Sequence, residues 1–207
     1  MIAYLILGAT YAFAAAVQPG PFQTFLISRT LTNGWRRTLP AALAPLISDG
    51  PIILLALVVL NQVPTWLEQV LRFAGGVFLL YLALGAFKAW RSYQGPQAAV
   101  EGSTRQSVLQ AAGVNLLNPN PYLAWTLVMG PLLLKGWRET PTHGLALLIG
   151  FYMTMVLSLA GIIFLFARVR DLGPRVGRGL VAASAIALTG FGGYQLWVCI
   201  KTLIKAG

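Results

Sequence analysis

Residues 15–25 read Ala15-Ala16-Val17-Gln18-Pro19-Gly20-Pro21-Phe22-Gln23-Thr24-Phe25, and the fold follows from how the Pro-Gly-Pro at their centre is read. The apolar run around it covers about residues 2–28, enough to cross a bilayer core as a helix, which takes roughly 20 residues. Proline removes a backbone donor and clashes with the preceding turn. Two prolines around a glycine therefore break or kink this helix part-way along. In a membrane the freed carbonyls need partners, so the break faces protein or a water-filled cavity. It is either a packing kink or a discontinuous helix lining a substrate site.

The rest of the chain sets the context. Of 207 residues, 57% are hydrophobic and 10% charged, against roughly 25% charged in a soluble domain. Six apolar segments are readable, near 2–28, 38–61, 66–90, 106–134, 141–167 and 179–200. The chain is thus expected to be an all-α integral membrane protein of six transmembrane helices. The first basic residue is Arg29, whereas a secretory signal carries its positive charge ahead of the apolar stretch; residues 2–28 are therefore expected to be a mature helix. The net charge is +10. Its bases sit between the apolar runs, so they point to topology and anionic headgroups and away from nucleic acid. The single cysteine, Cys199, allows no intramolecular disulfide or dithiol relay and reads as a small packing residue.

Pro19-Gly20-Pro21 returns 100 residues later as Pro119-Asn120-Pro121. Gly34-Trp35-Arg36-Arg37-Thr38 is matched by Gly136-Trp137-Arg138-Glu139-Thr140, and Gly75-Gly76 with Lys88-Ala89 by Gly192-Gly193 with Lys205-Ala206. Three anchors in one order indicate a repeat: residues 1–91 and 106–207 as two three-helix halves, joined by a polar linker over 92–105. Three helices is an odd number, so the second half enters the membrane from the opposite side. That is an inverted repeat, a build common in secondary transporters, and each half opens on a proline-broken helix. Ten Lys and Arg flank the first, third and fifth connections and five flank the other side. The positive-inside rule then puts the odd connections in the cytoplasm and both termini outside.

Candidate site residues cluster at the two breaks. Asn115, Asn118 and Asn120 bring amides to the second, and Gln18 and Gln23 flank the first. An amide both donates and accepts, which suits a zwitterionic ligand; it can equally tie helices together. Asp49 falls near the middle of the second apolar run, with Pro45 and Pro51 on either side. An unpaired charge there costs roughly 2.5–3.5 kcal/mol on insertion scales. Such an acid can exchange protons or pair with a substrate amine, or it can be a structural group bonded to a nearby amide or to a hydroxyl such as Ser48. One His, one Cys and one midplane acid offer no metal cluster, and no nucleophile–base pair stands in a membrane run. No cofactor and no catalytic residue is expected. The tryptophans and tyrosines read mostly as interfacial anchors.

The chain resembles the lysine exporter (LysE) family, which includes homoserine and threonine exporters. The resemblance rests on Pro19-Gly20-Pro21, Gly34-Trp35-Arg36, Asp49, the Gly-rich run Gly75-Gly76-Val77-Phe78-Leu79-Leu80-Tyr81-Leu82-Ala83, and Asn118-Pro119. It implies proton-driven export of amino acids or similar small metabolites, in a bacterial cytoplasmic membrane. Protons, the substrate and the lipid bilayer are then the partners, and a homo-oligomer is left open. On this reading Gln18, Pro19, Gly20, Pro21, Asn115, Asn118, Pro119, Asn120 and Pro121 bind substrate and Asp49 couples to protons. The chain departs from the family pattern twice. Ser48 stands where Gly often precedes the acid, and Asn120 where Lys often follows Asn-Pro, so the hold on a substrate carboxylate and the substrate class stay open. A non-transporting accessory subunit, with Asp49 as a helix–helix contact, is the alternative.

Overall fold

A computed structural model describes residues 1–59, 65–92, 103–170 and 172–206. Most of the expected linker, including Glu101, and the loop residue Asp171 lie outside these residues. Helices account for the described chain, in the order α1 (Ile2–Val17), α2 (Pro21–Asn33), α3 (Trp35–Thr38), α4 (Ala44–Leu54), α5 (Thr65–Arg91), α6 (Thr104–Leu116), α7 (Pro119–Ala124), α8 (Gly130–Glu139), α9 (Pro141–Arg170) and α10 (Pro174–Ala206). A 3₁₀ turn (Leu39–Leu43) joins α3 to α4. π-helical turns follow α4 (Leu55–Val59) and α7 (Trp125–Met129).

Four helical stretches are long and apolar enough to cross a membrane: Trp35–Leu57, Gln69–Arg91, Pro141–Val169 and Arg175–Thr202. A fifth is the pair α1 and α2, bent by 64° at the Pro-Gly-Pro break. The fourth expected run does not form one such span. It divides at Leu117–Asn118 into α6 and the α7–α8 stretch, whose second part ends in the charged Lys135-Gly136-Trp137-Arg138-Glu139.

The first connection is shorter than the apolar runs suggest. α2 continues through Arg29 to Asn33, and Gly34 alone ends it with φ 82°, a left-handed conformation that glycine adopts without a Cβ penalty. Gly136, its counterpart in the sequence repeat, lies inside α8, and the chain turns only at Thr140. These two anchors are therefore not alike in conformation: a polar residue, Thr140, does at the second connection what Gly34 does at the first.

Small residues bring the long helices together, as in membranes generally, where lipid gives little apolar drive for association. α1 runs along α9 and α5 along α10. A Cβ on Gly8 would stand 2.2 Å from the Leu147 carbonyl oxygen, and one on Gly150 would stand 2.2 Å from that of Leu5. Gly76 and Gly192 are reciprocal too, each 3.0 Å from the other's carbonyl oxygen by the same measure. Large apolar side chains such as Ile6, Phe13, Leu84, Leu157 and Ile186 are exposed on the outer faces, where lipid would cover them.

Candidate functional site

The first break follows from local chemistry. Gln18 donates its N–H to the Ala14 carbonyl and then turns extended, with ψ 124°, as the residue before a proline does. Pro19 has no N–H for the Ala15 carbonyl. The Gln23 side chain supplies the missing donor from the next helix: its Nε2 donates to Ala15 O at 3.0 Å and to Ala16 O at 3.1 Å. A Cβ on Gly20 would come within 3.2 Å of Gln23 Oε1, so glycine there leaves room for this cap. Gln23 is thus a helix-end cap, the tying role of the two open to it. Gln23→Leu leaves both carbonyls unmet, at about 1–3 kcal/mol per buried group. The expected result is a clearly lower unfolding temperature in detergent; an unchanged one would remove the cap from the account of the break.

The second break is built differently with a similar outcome. Asn118 caps α7, its Oδ1 accepting from the Asn120 N–H at 3.1 Å. The Tyr122 hydroxyl donates to the Leu116 carbonyl at 3.0 Å, across the gap between α6 and α7. Pro51 and Pro121 each stand four residues before a π-helical turn. Pro51 lies inside α4 and has no N–H for the Ile47 carbonyl, whereas Pro121 is in the first turn of α7, where no intrahelical bond is lost.

The two breaks meet. One cavity of about 400 Å³ is lined by Gln18, Pro19, Gly20, Pro21 and Gln23 from the first, and by Asn115, Asn118, Asn120 and Pro121 from the second. Asp49 and Pro45 line it from α4. Of the expected site residues only Pro119, which is buried, does not line it. Asn120 and Gln18 are exposed, whereas Asn115, Asn118 and Asp49 are 7%, 8% and 4% exposed.

Asp49 does not stand alone. Asn115 Nδ2 uses both of its protons: one goes to Asp49 Oδ1 and one to Ser48 Oγ, each at 2.7 Å. Ser48 donates in turn to the Ala44 carbonyl at 2.9 Å. The Tyr152 hydroxyl donates to Asp49 Oδ2 at 3.4 Å, and the Trp125 side chain is a further hydrogen-bonding neighbour. The carboxylate therefore ties α4 to α6 and α9 while lining the cavity. A structural tie to an amide and a place in a ligand-sized space coexist in one residue. Ser48, at the position where the resembled family often has glycine, shares the Asn115 amide with the acid.

Trp125 and Phe151 also line the cavity, and Tyr152 stands behind them against Asp49. Trp125 packs edge-on to Phe151 with centroids 5.4 Å apart, and Phe151 packs likewise on Tyr152 at 5.1 Å. Trp125 is 1% exposed. The expectation that tryptophans and tyrosines mostly sit at the interface misses Trp125 and Tyr152. Spacing gives them no polar signature, since each lies in an apolar run and becomes a site residue only when its helix meets α4. His143 stands at the start of α9, with Nδ1 3.2 Å from Glu139 Oε2, and stacks on Tyr4 at 4.9 Å. Cys199 is buried, its thiol 3.6 Å from the Gln69 carbonyl, as a packing residue.

Comparison with known proteins gives one match. The family model described as LysE type translocator covers residues 13–197 of this chain. No curated protein and no solved structure matches it.

Proposed function

The chain belongs to the LysE type translocator family and is an integral membrane protein; on that premise we propose that it is a secondary exporter of amino acids or similar small zwitterionic metabolites, driven by proton antiport. The single observation that carries the reading is the shared cavity, where two proline-broken helices and a membrane-embedded acid converge. The N-terminus of α2 opens there. Its first N–H groups have no intrahelical partner, and the helix dipole favours an anion at that end, so it suits a carboxylate. Asn118 and Asn120 offer amide donors, and Asp49 or the Asn115 Oδ1 suits an amine. Asn120 in place of the family's frequent Lys leaves this carboxylate to dipoles and amides alone. Asp49, relieved of its proton on one side and reloaded on the other, couples substrate exit to proton entry.

The architecture of this proposal is six transmembrane segments in two inverted halves, 1–91 and 106–207, with 92–105 as a cytoplasmic linker and both termini outside. Helix neighbours support it. The first segment packs on the fifth (α1 on α9) and the fourth on the second (α6 on α4), while the third packs on the sixth (α5 on α10). A two-fold axis that exchanges the halves turns the first of these pairs into the second and maps the third pair onto itself. The Gly76–Gly192 approach then falls near the axis, and rocking of the halves about it alternates access.

The test is efflux from proteoliposomes of purified protein, loaded with a panel of amino acids. An imposed inward proton gradient should drive release of at least one compound above the leak of empty liposomes, and a protonophore should stop it. Release of no member of the panel under a gradient, together with no change in the medium of overexpressing or deletion cells on metabolite profiling, would favour the accessory-subunit alternative.

A further inference from the structure

α2 carries a second cavity at its other end. Phe22 lines the first cavity and Phe25 the second. Both rings belong to one apolar cluster with Leu26, Leu82 and Ala112, which closes the space between them. The second cavity has about the same volume, 400 Å³, and lies among α2, α5 and the start of α6. Its chemistry differs. Arg29 and Lys88 line it, and among the described residues no carboxylate does.

Arg29 is the residue least like a topology marker. It sits about 12 Å beyond Pro21 by helical rise, half-buried. Phe25 holds its guanidinium with the ring centroid at 5.6 Å, and it donates to Gln110 Oε1. A neutral amide leaves the positive charge uncompensated. Asn33 adds an independent sign: it lines the cavity, is 4% exposed, and its Nδ2 is a buried donor without a partner. Such a donor costs about 1–3 kcal/mol if it stays unmet. Other polar groups are already used. Thr32 donates to the Ser28 carbonyl and Ser92 to that of Lys88.

We propose that this cavity is a binding site for a small oxyanion, a carboxylate or a phosphate, held by Arg29, Lys88 and Asn33. Two cations and an unmet amide donor match an acceptor-only group, and charge-assisted hydrogen bonds of this kind are the strong ones. The anion has two sources. One is the carboxylate of a soluble metabolite entering from the side of the first and third connections. The other is the phosphate of an anionic lipid reaching in between Tyr81 and Leu84, both exposed on the outer face. The binding itself does not depend on the export reading. If that reading holds, the first source makes this cavity the loading site behind the apolar cluster.

The experiment uses the full chain in phosphatidylcholine nanodiscs, followed by thermal unfolding with sodium phosphate or sodium acetate, against sodium chloride at equal ionic strength. Saturable stabilisation by the oxyanions but not by chloride is expected. Lys88→Gln and Asn33→Leu should each weaken it about tenfold, the effect of one charge-assisted or buried hydrogen bond. Arg29→Gln should remove it, and Asp49→Asn should keep it even when export is lost. Replacing part of the lipid by phosphatidylglycerol separates the sources: loss of the phosphate response means lipid fills the site, and persistence means a soluble anion does. No oxyanion-specific stabilisation of the wild type, or stabilisation of Lys88→Gln and Asn33→Leu as strong as that of the wild type, would overturn the proposal.

Discussion

Asp49→Asn is expected to leave the protein folded and to abolish proton-driven efflux in proteoliposomes. The two halves of this outcome have separate causes. An amide has the shape of the carboxylate, and its oxygen can still accept from Asn115 Nδ2, 2.7 Å away in the wild type. Its NH₂ can donate to the Tyr152 oxygen, reversing the 3.4 Å bond that Tyr152 now donates. The tie between α4, α6 and α9 therefore survives, and thermal unfolding should move little. The amide cannot exchange a proton, so the coupling step has no carrier. Substrate exchange across the membrane without a proton gradient should persist, which distinguishes lost coupling from lost binding. Proton-driven efflux at the wild-type rate would remove Asp49 from the coupling role and leave it as a helix–helix contact.

The second large effect is structural. Gly8→Ala or Gly150→Ala should prevent accumulation of folded, monodisperse protein. The added carbon meets a backbone carbonyl oxygen at 2.2 Å in each case, far inside van der Waals contact. Backbone cannot swing aside as a side chain can, so α1 and α9 must part along the interface that Ala12 and Leu147 fill without exposure. Overpacking typically costs about 1–3 kcal/mol and occasionally more, and a clash with backbone belongs at the upper end. Gly161→Ala in the same helix is the control, since nothing lies within 4 Å of its added carbon and it should express as the wild type does. Wild-type behaviour of Gly150→Ala would mean that the α1–α9 approach is not as close as described.

Much of this was legible in single residues. Pro19-Gly20-Pro21 and Pro119-Asn120-Pro121 broke their helices because proline lacks an N–H wherever it stands, and this local rule needs no neighbours. Asp49 stood out for the same kind of reason, one charge in a long apolar run. The fourth segment was less legible. Its composition is apolar overall, but the asparagines, the prolines and the charged end divide it into pieces, none of which is apolar enough to span alone.

Other features had no local signal. Arg29 reads as a connection residue because arginine usually marks the end of an apolar run, yet α2 carries it five residues before the turn at Gly34. Gln23 reads as open to either ligand binding or helix tying, and the bend decides by pointing it back at Ala15 and Ala16.

Hydropathy and single residues set the solvent, most of the spans, the two helix breaks and the acid in the second run. Each follows from hydropathy or from a covalent property of the residue concerned. Helix packing is what opens both breaks into one cavity, brings Asn115 and Tyr152 to Asp49, and sets Gly8 against α9. The same packing places Arg29 and Lys88 in a second cavity. The partners of Asp49 lie 66 and 103 residues away along the chain, and a period read within one helix carries no information about which other helix will face it. That choice is made by the close approach of small residues on crossing helices, where backbone and side chains from distant segments compete for the same few ångströms.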